Sequence, residues 1–296
     1  MLIEGSAATD RVAVVCREIG PPDADAVVDL LTRGFGAQRS RAFWAQALRR
    51  LAEREPPRGL PRFGYALESG GSLVGVLLLI ASEVPGSDGA SLRCNLSSWY
   101  VEPRFRPYAT LLERRALRHR EATYVNVTPA PHTRPGLLAQ GYAPYADGRA
   151  VTVPLLARGR AKAIVRPARP GLMPGQDLSA AEVALLLHHA GWGCLSVVCT
   201  SEGQRHPFVF ARRRRSGVIP FAYLLYCRDL DSFVRYAGRL GRYLAMRGMP
   251  LVVIDTDGRL QGIPGRYRQG YPKYYKGSGT PRPEDLAYTE RAVFGV

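Results

Sequence analysis

Apolar positions along this chain switch between a period near two and a period near 3.6, and the switches mark out elements. Val12 to Val15 is β-branched and apolar and reads as an opening strand. Pro21-Pro22-Asp23 signals a helix start, after which Ala26, Val27, Leu30, Leu31 and Phe35 recur at helical spacing. A second helix is predicted from about Arg41 to Arg54, with Phe43, Trp44, Ala47, Leu48 and Leu51 on one face and Pro56-Pro57 as its stop. Gly64 to Leu67 and Ser72 to Ala81, parted by Glu68-Ser69-Gly70-Gly71, read as a hairpin. Leu92 to Val101 is a further strand, Ala109 to Arg118 a helix, and Ala122 to Val127 a strand. Pro135 to Gln140 makes a short helix that ends at Gly141, where a C-cap glycine belongs.

The pattern then breaks and resumes. From Leu156 to Gly175, arginines alternate with prolines and glycines, a linker composition in which Ala163 to Val165 has the makings of a short strand. Ser179 followed by Glu182 forms a capping box ahead of Val183, Leu186 and Leu187. Leu195 to Thr200 and Pro207 to Ala211 flank Glu202-Gly203-Gln204 as a hairpin. Ile219 to Cys227 is a strand, about Asp229 to Arg247 a long helix, and Leu251 to Ile254 a buried strand running into Asp255-Thr256-Asp257-Gly258.

The second half thus repeats the order of the first, and some residues repeat with it. Phe105, Tyr108, Ala109, Leu112, Val125 and Thr128 recur 128 positions later as Phe233, Tyr236, Ala237, Leu240, Val253 and Thr256. After a one-residue slip, Pro135, Gly136, Gln140, Gly141, Tyr142 and Tyr145 recur as Pro264, Gly265, Gln269, Gly270, Tyr271 and Tyr274. Unrelated sequence would give roughly two or three such matches over this stretch. The period is too long for a solenoid, so a duplicated domain is the reading. The expected division is residues 1–155, a linker 156–176, and residues 177–296.

Length and composition fit two globular domains: 296 residues, 46% hydrophobic. The longest strongly apolar run, Leu73 to Ala81, is well short of the roughly twenty residues of a membrane helix, so no membrane span is expected. The N-terminus lacks the basic-then-apolar form of a secretory signal. Five cysteines form no C-x-x-C pair, which points to a reducing, cytoplasmic setting. The net charge of +16 attracts polyanions, whether nucleic acid, anionic membrane or phosphorylated cofactor. Only three of the 41 basic residues are lysines, and two of them lie in Pro272-Lys273-Tyr274-Tyr275-Lys276-Gly277, a hint that an ammonium is required there. His188, His189, Cys194 and Cys199 match no known metal-ligand spacing, so no metal is expected. Asp255 and Asp257 read first as a turn with local hydrogen bonds, and Arg212 to Arg215 as a solvated edge.

Trp99-Tyr100-Val101-Glu102-Pro103-Arg104-Phe105-Arg106 resembles the V-x-P-x-x-R start of the acyl-CoA-binding motif of GCN5-related N-acetyltransferases, and Leu137 to Tyr142 resembles that family's later Y-x-x-x-G-F segment. The resemblance covers roughly residues 10 to 155. It implies an α/β (α+β) chain of two tandem domains of that type, each a mixed central sheet flanked by helices. It further implies an enzyme moving an acyl group from acetyl-CoA, or another acyl-CoA, to an amine. Tyr100, Val101, Arg104, Arg106, Tyr108, Ala109 and Thr110 are the implied cofactor-binding residues, the helix start facing the phosphates. Glu102 is the candidate base and Tyr267 the candidate proton donor.

The sequence departs from the family in two places. Where the family has Arg-Gly-x-Gly-x-Gly/Ala, this chain has Arg106-Pro107-Tyr108-Ala109-Thr110-Leu111; Pro107 brings no amide donor, and no glycine allows close backbone approach. The tyrosine four residues before the family's Gly-Phe is Leu137 here, and Tyr267 lies three residues before Gly270. Two further functions therefore stand beside the first. One is aminoacyl transfer from aminoacyl-tRNA, which the charge suits; the other is a catalytically degenerate binding protein. The amine acceptor, the acyl chain and which half is active are not legible.

Overall fold

The alternating pattern resolves into twelve strands and seven helices among the described residues. The computed structural model describes residues 13–57, 59–86, 89–158, 161–215 and 217–295. In the first half the elements are β1 (Val14–Glu18), α1 (Ala24–Phe35), α2 (Arg41–Ala52), β2 (Gly64–Ser69), β3 (Ser72–Gly86), β4 (Gly89–Val101), α3 (Ala109–Ala116), β5 (Ala122–Asn126), α4 (Arg134–Ala139) and β6 (Ala143–Thr152). The second half has β7 (Ile164–Pro167), α5 (Ala180–Gly191), β8 (Leu195–Ser201), β9 (Gln204–Arg215), β10 (Ile219–Cys227), α6 (Leu230–Ala245), β11 (Val252–Thr256), β12 (Gly265–Lys276) and α7 (Glu290–Val293). Val12 of the expected opening strand lies outside the described residues. The fold is mixed α/β, a mixed sheet with flanking helices.

Two compact units divide the chain, one of Met1–Leu79 with Leu96–His119, the other of Ile80–Asn95 with Arg120–Val296. In the first, β1, β2 and the first part of β3 pair antiparallel. Of the stripe predicted for α1, Val27, Leu30 and Leu31 are buried, Phe35 is half-buried and Ala26 is exposed, with Val28 buried in addition; of that for α2, Trp44, Ala47, Leu48 and Leu51 are buried and Phe43 half-buried. Each such leucine contributes about 2 kcal/mol by leaving water. Ser40 caps α2, its hydroxyl accepting from the Phe43 N–H at 3.2 Å.

In the second unit the strand order is β4-β5-β12-β6-β11-β10-β9-β8-β7. Two pairs in it are parallel, β4 with β5 and β10 with β11. Each is joined in sequence through a helix, α3 or α6, as parallel neighbours require. The remaining neighbours are antiparallel, and among them the halves trade their last strands. β12, from the second half, pairs with β5; β6, from the first, pairs with β11. One sheet face carries α6, whose Phe233, Ala237, Leu240 and Leu244 pack with Phe208, Phe210, Leu224 and Ile254. The other carries α5, whose Val183 and Leu186 pack with Val209, Leu225 and Val125. The capping box at Ser179 and Glu182 is present, with the Glu182 N–H donating to Ser179 Oγ at 3.2 Å.

Three pairs of the first block share an element type: Ala109 and Leu112 lie on α3 as Ala237 and Leu240 do on α6, and Val125 on β5 as Val253 does on β11, whereas Phe105 and Tyr108 sit in a 3-10 helix and Phe233 and Tyr236 inside α6. The second block diverges. Pro135 and Gly136 belong to helix α4, whereas Pro264 and Gly265 lead into strand β12. What the two copies keep is a left-handed glycine, Gly141 at φ +83° and Gly270 at φ +94°.

Candidate functional site

In the first unit, β4 ends by handing its chain to a turn and a helix. The ring of Tyr100 lies across Gly34 of α1, where any Cβ would come within 2.4 Å of it, and Val101 is buried. Both side chains therefore serve packing and leave only backbone for a ligand. The Glu102 N–H donates to Val74 O at 2.9 Å, and its carboxylate is ion-paired with Arg33 Nη2 at 3.1 Å. Pro103–Tyr108 forms a 3-10 helix, in which the Phe105 N–H donates to Glu102 O at 2.8 Å and the Ala109 N–H to Arg106 O. Arg104, Arg106, Tyr108 and Thr110 are exposed on this turn, and α3 begins at Ala109 as the sequence predicts. The turn thus gathers two cations and a helix start, but its own hydrogen bonds consume amides that a glycine turn would leave pointing outward.

The two parallel pairs are short. The ladder of β4 with β5 covers Leu92 to Asn95 and Ala122 to Val125, where Asn95 Nδ2 donates to Val125 O at 3.2 Å. That of β10 with β11 covers only Ala222 and Tyr223. Past Tyr223 a register irregularity between Leu224 and Tyr226 bends β10. Its far end pairs with the C-terminal segment: the Leu286 N–H donates to Leu225 O at 2.7 Å and the Cys227 N–H to Glu284 O at 3.3 Å. The same segment is anchored on β4, where Arg93 donates to Ala287 O at 2.5 Å and pairs with Asp285 at 3.2 Å, and Asn95 Oδ1 accepts from the Glu290 N–H at 2.7 Å. The opening beside β10 is filled by chain. The start of α6 is occupied too, because Asp229 caps it by accepting from the Ser232 N–H at 2.5 Å.

A second constellation lies within the other unit. Asp255, expected in a turn, is the last but one residue of β11 and fully buried. Its Oδ2 meets Lys273 Nζ at 2.7 Å and accepts from Tyr223 Oη at 2.6 Å; its Oδ1 accepts from Arg149 Nε at 2.9 Å. Burial alone would push the Asp255 carboxyl up, but Lys273, Arg149 and Arg291 outweigh it and hold it below its usual range. Burial takes Lys273 down to about 8, with Asp255 opposing. Asp257 does occupy a turn, accepting from the Asp147 N–H at 2.7 Å.

Beside this cluster opens a pocket of about 690 Å³. Seven arginines line it: Arg149, Arg213 to Arg215, Arg266, Arg268 and Arg291. Its apolar lining includes Val151, Phe221, Tyr223 and Val253, and no acidic residue is among the lining side chains. The expected solvated edge at Arg212 to Arg215 is corrected in part: these residues pair with Ile219 to Ala222 of β10, while the ladder with β8 stops at Phe210. Tyr267 lies elsewhere in the same unit, on β12, with its ring over Gly148 and facing a separate pocket of about 490 Å³. Burial raises its hydroxyl pKa, with Asp257 and Asp147 adding to the effect. Among the described residues no group of three or more His, Cys, Asp or Glu side chains is placed to hold a metal ion. No helix among them is long and apolar enough to cross a membrane.

Comparison of the whole structure with solved ones decides the fold. A GCN5-related N-acetyltransferase from Anabaena variabilis matches at a TM-score of 0.57 and 10% identity, over 93% of this chain and 74% of that one. One from Kribbella flavida matches at 0.55 and 13% identity, over 89% and 71%. A Pyrococcus horikoshii chain provisionally termed an acetyltransferase matches at 0.56 and 12% identity, over 93% and 95%. The chain has the GCN5-related N-acetyltransferase fold. No protein-family model matches it, and no curated protein does.

Within this acetyltransferase fold the sequence-predicted residues separate into two groups. Tyr100, Val101, Glu102, Arg104, Arg106, Tyr108, Ala109 and Thr110 form one continuous turn in the first unit, and Tyr267 belongs to the second. Sequence reasoning missed Arg149, Tyr223 and Arg291, which sit in strands or a terminal helix where charged and aromatic residues read as ordinary packing. Scarcity was the usable signal for Lys273: a lysine in an arginine-biased chain proves to be fully buried against a carboxylate.

Proposed function

We propose that the chain is an acyl-CoA-dependent N-acyltransferase, built as tandem domains 1–155 and 177–296 joined by 156–176. The observation that carries this reading is β4 running past the last rung of its ladder at Asn95, through Val101, into an arginine-bearing turn and a helix start. In the acetyltransferase fold such a strand offers backbone groups to an extended acyl-carrier arm, and the turn meets phosphates. Arg104 and Arg106 supply charge to the phosphates in place of the missing glycine amides, and the first turn of α3 at Ala109 and Thr110 adds its dipole. Tyr108 stands exposed on the same turn as a stacking surface. The reaction is direct: the acceptor amine forms a bond to the thioester carbonyl carbon, the carbon–sulfur bond breaks, and the amine proton leaves. Glu102 adjoins the turn and is the proposed proton acceptor there; Tyr267, in the other unit, is the proposed proton donor of the second half's own site. The five free thiols accord with a cytoplasmic enzyme.

Calorimetric titration with acetyl-CoA tests this. We expect saturable heat, a raised melting temperature, and at least tenfold weaker binding in Arg104→Ala/Arg106→Ala. No heat and no thermal shift would overturn the reading. Transfer from aminoacyl-tRNA is a second reading, favoured by the net charge of +16. It requires retention on tRNA that collapses with salt. A non-catalytic role is favoured by the C-terminal segment occupying the opening beside β10; it requires acetyl-CoA binding without turnover on any amine.

A further inference from the structure

The arginine-lined pocket is a separate ligand site, placed by cross-strand register. Tyr223 of β10 stands opposite Val253 of β11, Val253 opposite Val151 of β6, and Val151 opposite Arg266 of β12. Parallel to that row, Asp255 stands opposite Arg149, and Arg149 opposite Arg268. On the other side Phe221 is opposite Arg213, and Ile219 opposite Arg215. An apolar and aromatic floor is therefore bounded along both margins by guanidinium groups. Gathering like charges in a concavity raises the energy of the empty protein and focuses a positive potential into it. Asp255 offsets one of these charges by pairing with Arg149 at 2.9 Å, and its other oxygen is engaged by Lys273 and Tyr223, so it reaches the remaining guanidinium groups only in part. Those same contacts immobilise Arg149, whose guanidinium lies 4.2 Å from the Tyr271 ring centroid. A donor held on two sides is preorganised for an anion.

We propose that this pocket binds a nucleoside-polyphosphate-class ligand, its ring on the Phe221–Tyr223–Val253 floor and its phosphates against Arg266 and Arg268 along the β12 margin. The volume of about 690 Å³ suits a single small molecule. The mixed lining matches a body that is planar and apolar at one end and multiply anionic at the other. An extended nucleic-acid strand would be served by an open groove instead. The site does not depend on the acyl-carrier turn of the first unit, so each is tested without the other.

The experiment is calorimetric titration of the full chain with ATP, adenosine and inorganic triphosphate at fixed ionic strength. ATP is expected to bind at one site per chain, with adenosine and triphosphate each at least tenfold weaker. Arg266→Glu/Arg268→Glu is expected to weaken ATP at least tenfold. Arg104→Glu/Arg106→Glu is expected to leave ATP binding unchanged while weakening acetyl-CoA. Arg266→Gln, a milder change at an exposed strand position, provides the same readout should the double reversal disturb folding as judged by circular dichroism. Absence of saturable ATP binding, or ATP binding indifferent to both pocket variants, overturns the proposal. So does a single-stranded RNA that occupies the pocket arginines and is not displaced by ATP. If acetyl-CoA fails to bind while ATP behaves as expected, the acyltransferase reading falls and the pocket stands.

Discussion

At the residue scale, Asp255 and Lys273 set the terms. Removing one member of a buried ion pair leaves an uncompensated charge, which costs about 3–5 kcal/mol, whereas replacing both with apolar groups often costs little. Asp255→Asn is therefore expected to lower the free energy of unfolding by about 3–5 kcal/mol in urea titrations. Asp255→Asn/Lys273→Met is expected to cost clearly less than the sum of its singles. Asp177 offers a cleaner pH test. Arg205 donates to both its oxygens, through Nε at 3.0 Å and Nη2 at 2.6 Å, and holds its pKa down at about 2. Because this folded value lies below the unfolded one, the stabilisation is complete above about pH 4 and is lost as pH falls toward 2. The melting temperature should drop through that window, and Asp177→Asn should flatten the drop.

At the element scale, the strand–helix alternation was legible wherever local pattern decides structure. The stripes of α1 and α2, the extent of α6, the capping box at Ser179 and the crossing of β10, α6 and β11 all follow from residues adjacent in sequence. β12 was not legible. Gly265-Arg-Tyr-Arg-Gln-Gly-Tyr-Pro-Lys-Tyr-Tyr-Lys276 has no apolar alternation and contains proline and glycine, and it is a strand because β5 and β6 pair with it from either side. The site failed for the same reason. Asp255 looks like a turn residue until Lys273 and Tyr223, far away in sequence, are brought against it. The turn at Pro103–Tyr108 was readable because all its parts are contiguous. One packing pair on these strands yields a test. The Tyr267 ring lies where a Cβ on Gly148 would sit, 2.4 Å from it. Gly148→Ala is expected to destabilise by about 1–3 kcal/mol through overpacking. Adding Tyr267→Ala should recover part of that loss, a coupling read from a double-mutant cycle.

At the scale of the whole molecule, β6 and β12 tie strands far apart in sequence into one ladder, β5-β12-β6-β11. A fragment of residues 1–155 keeps β5 and β6 but lacks β12 and β11, so β5 loses one neighbour and β6 loses both. It is expected to aggregate when expressed alone and to become soluble when residues 156–296 are co-expressed. A soluble, monomeric 1–155 fragment would contradict this. A lesion in β12 falls on its partners β5 and β6 as much as on the residues beside it in sequence. Selection must then act on these distant stretches of the gene as a single heritable object.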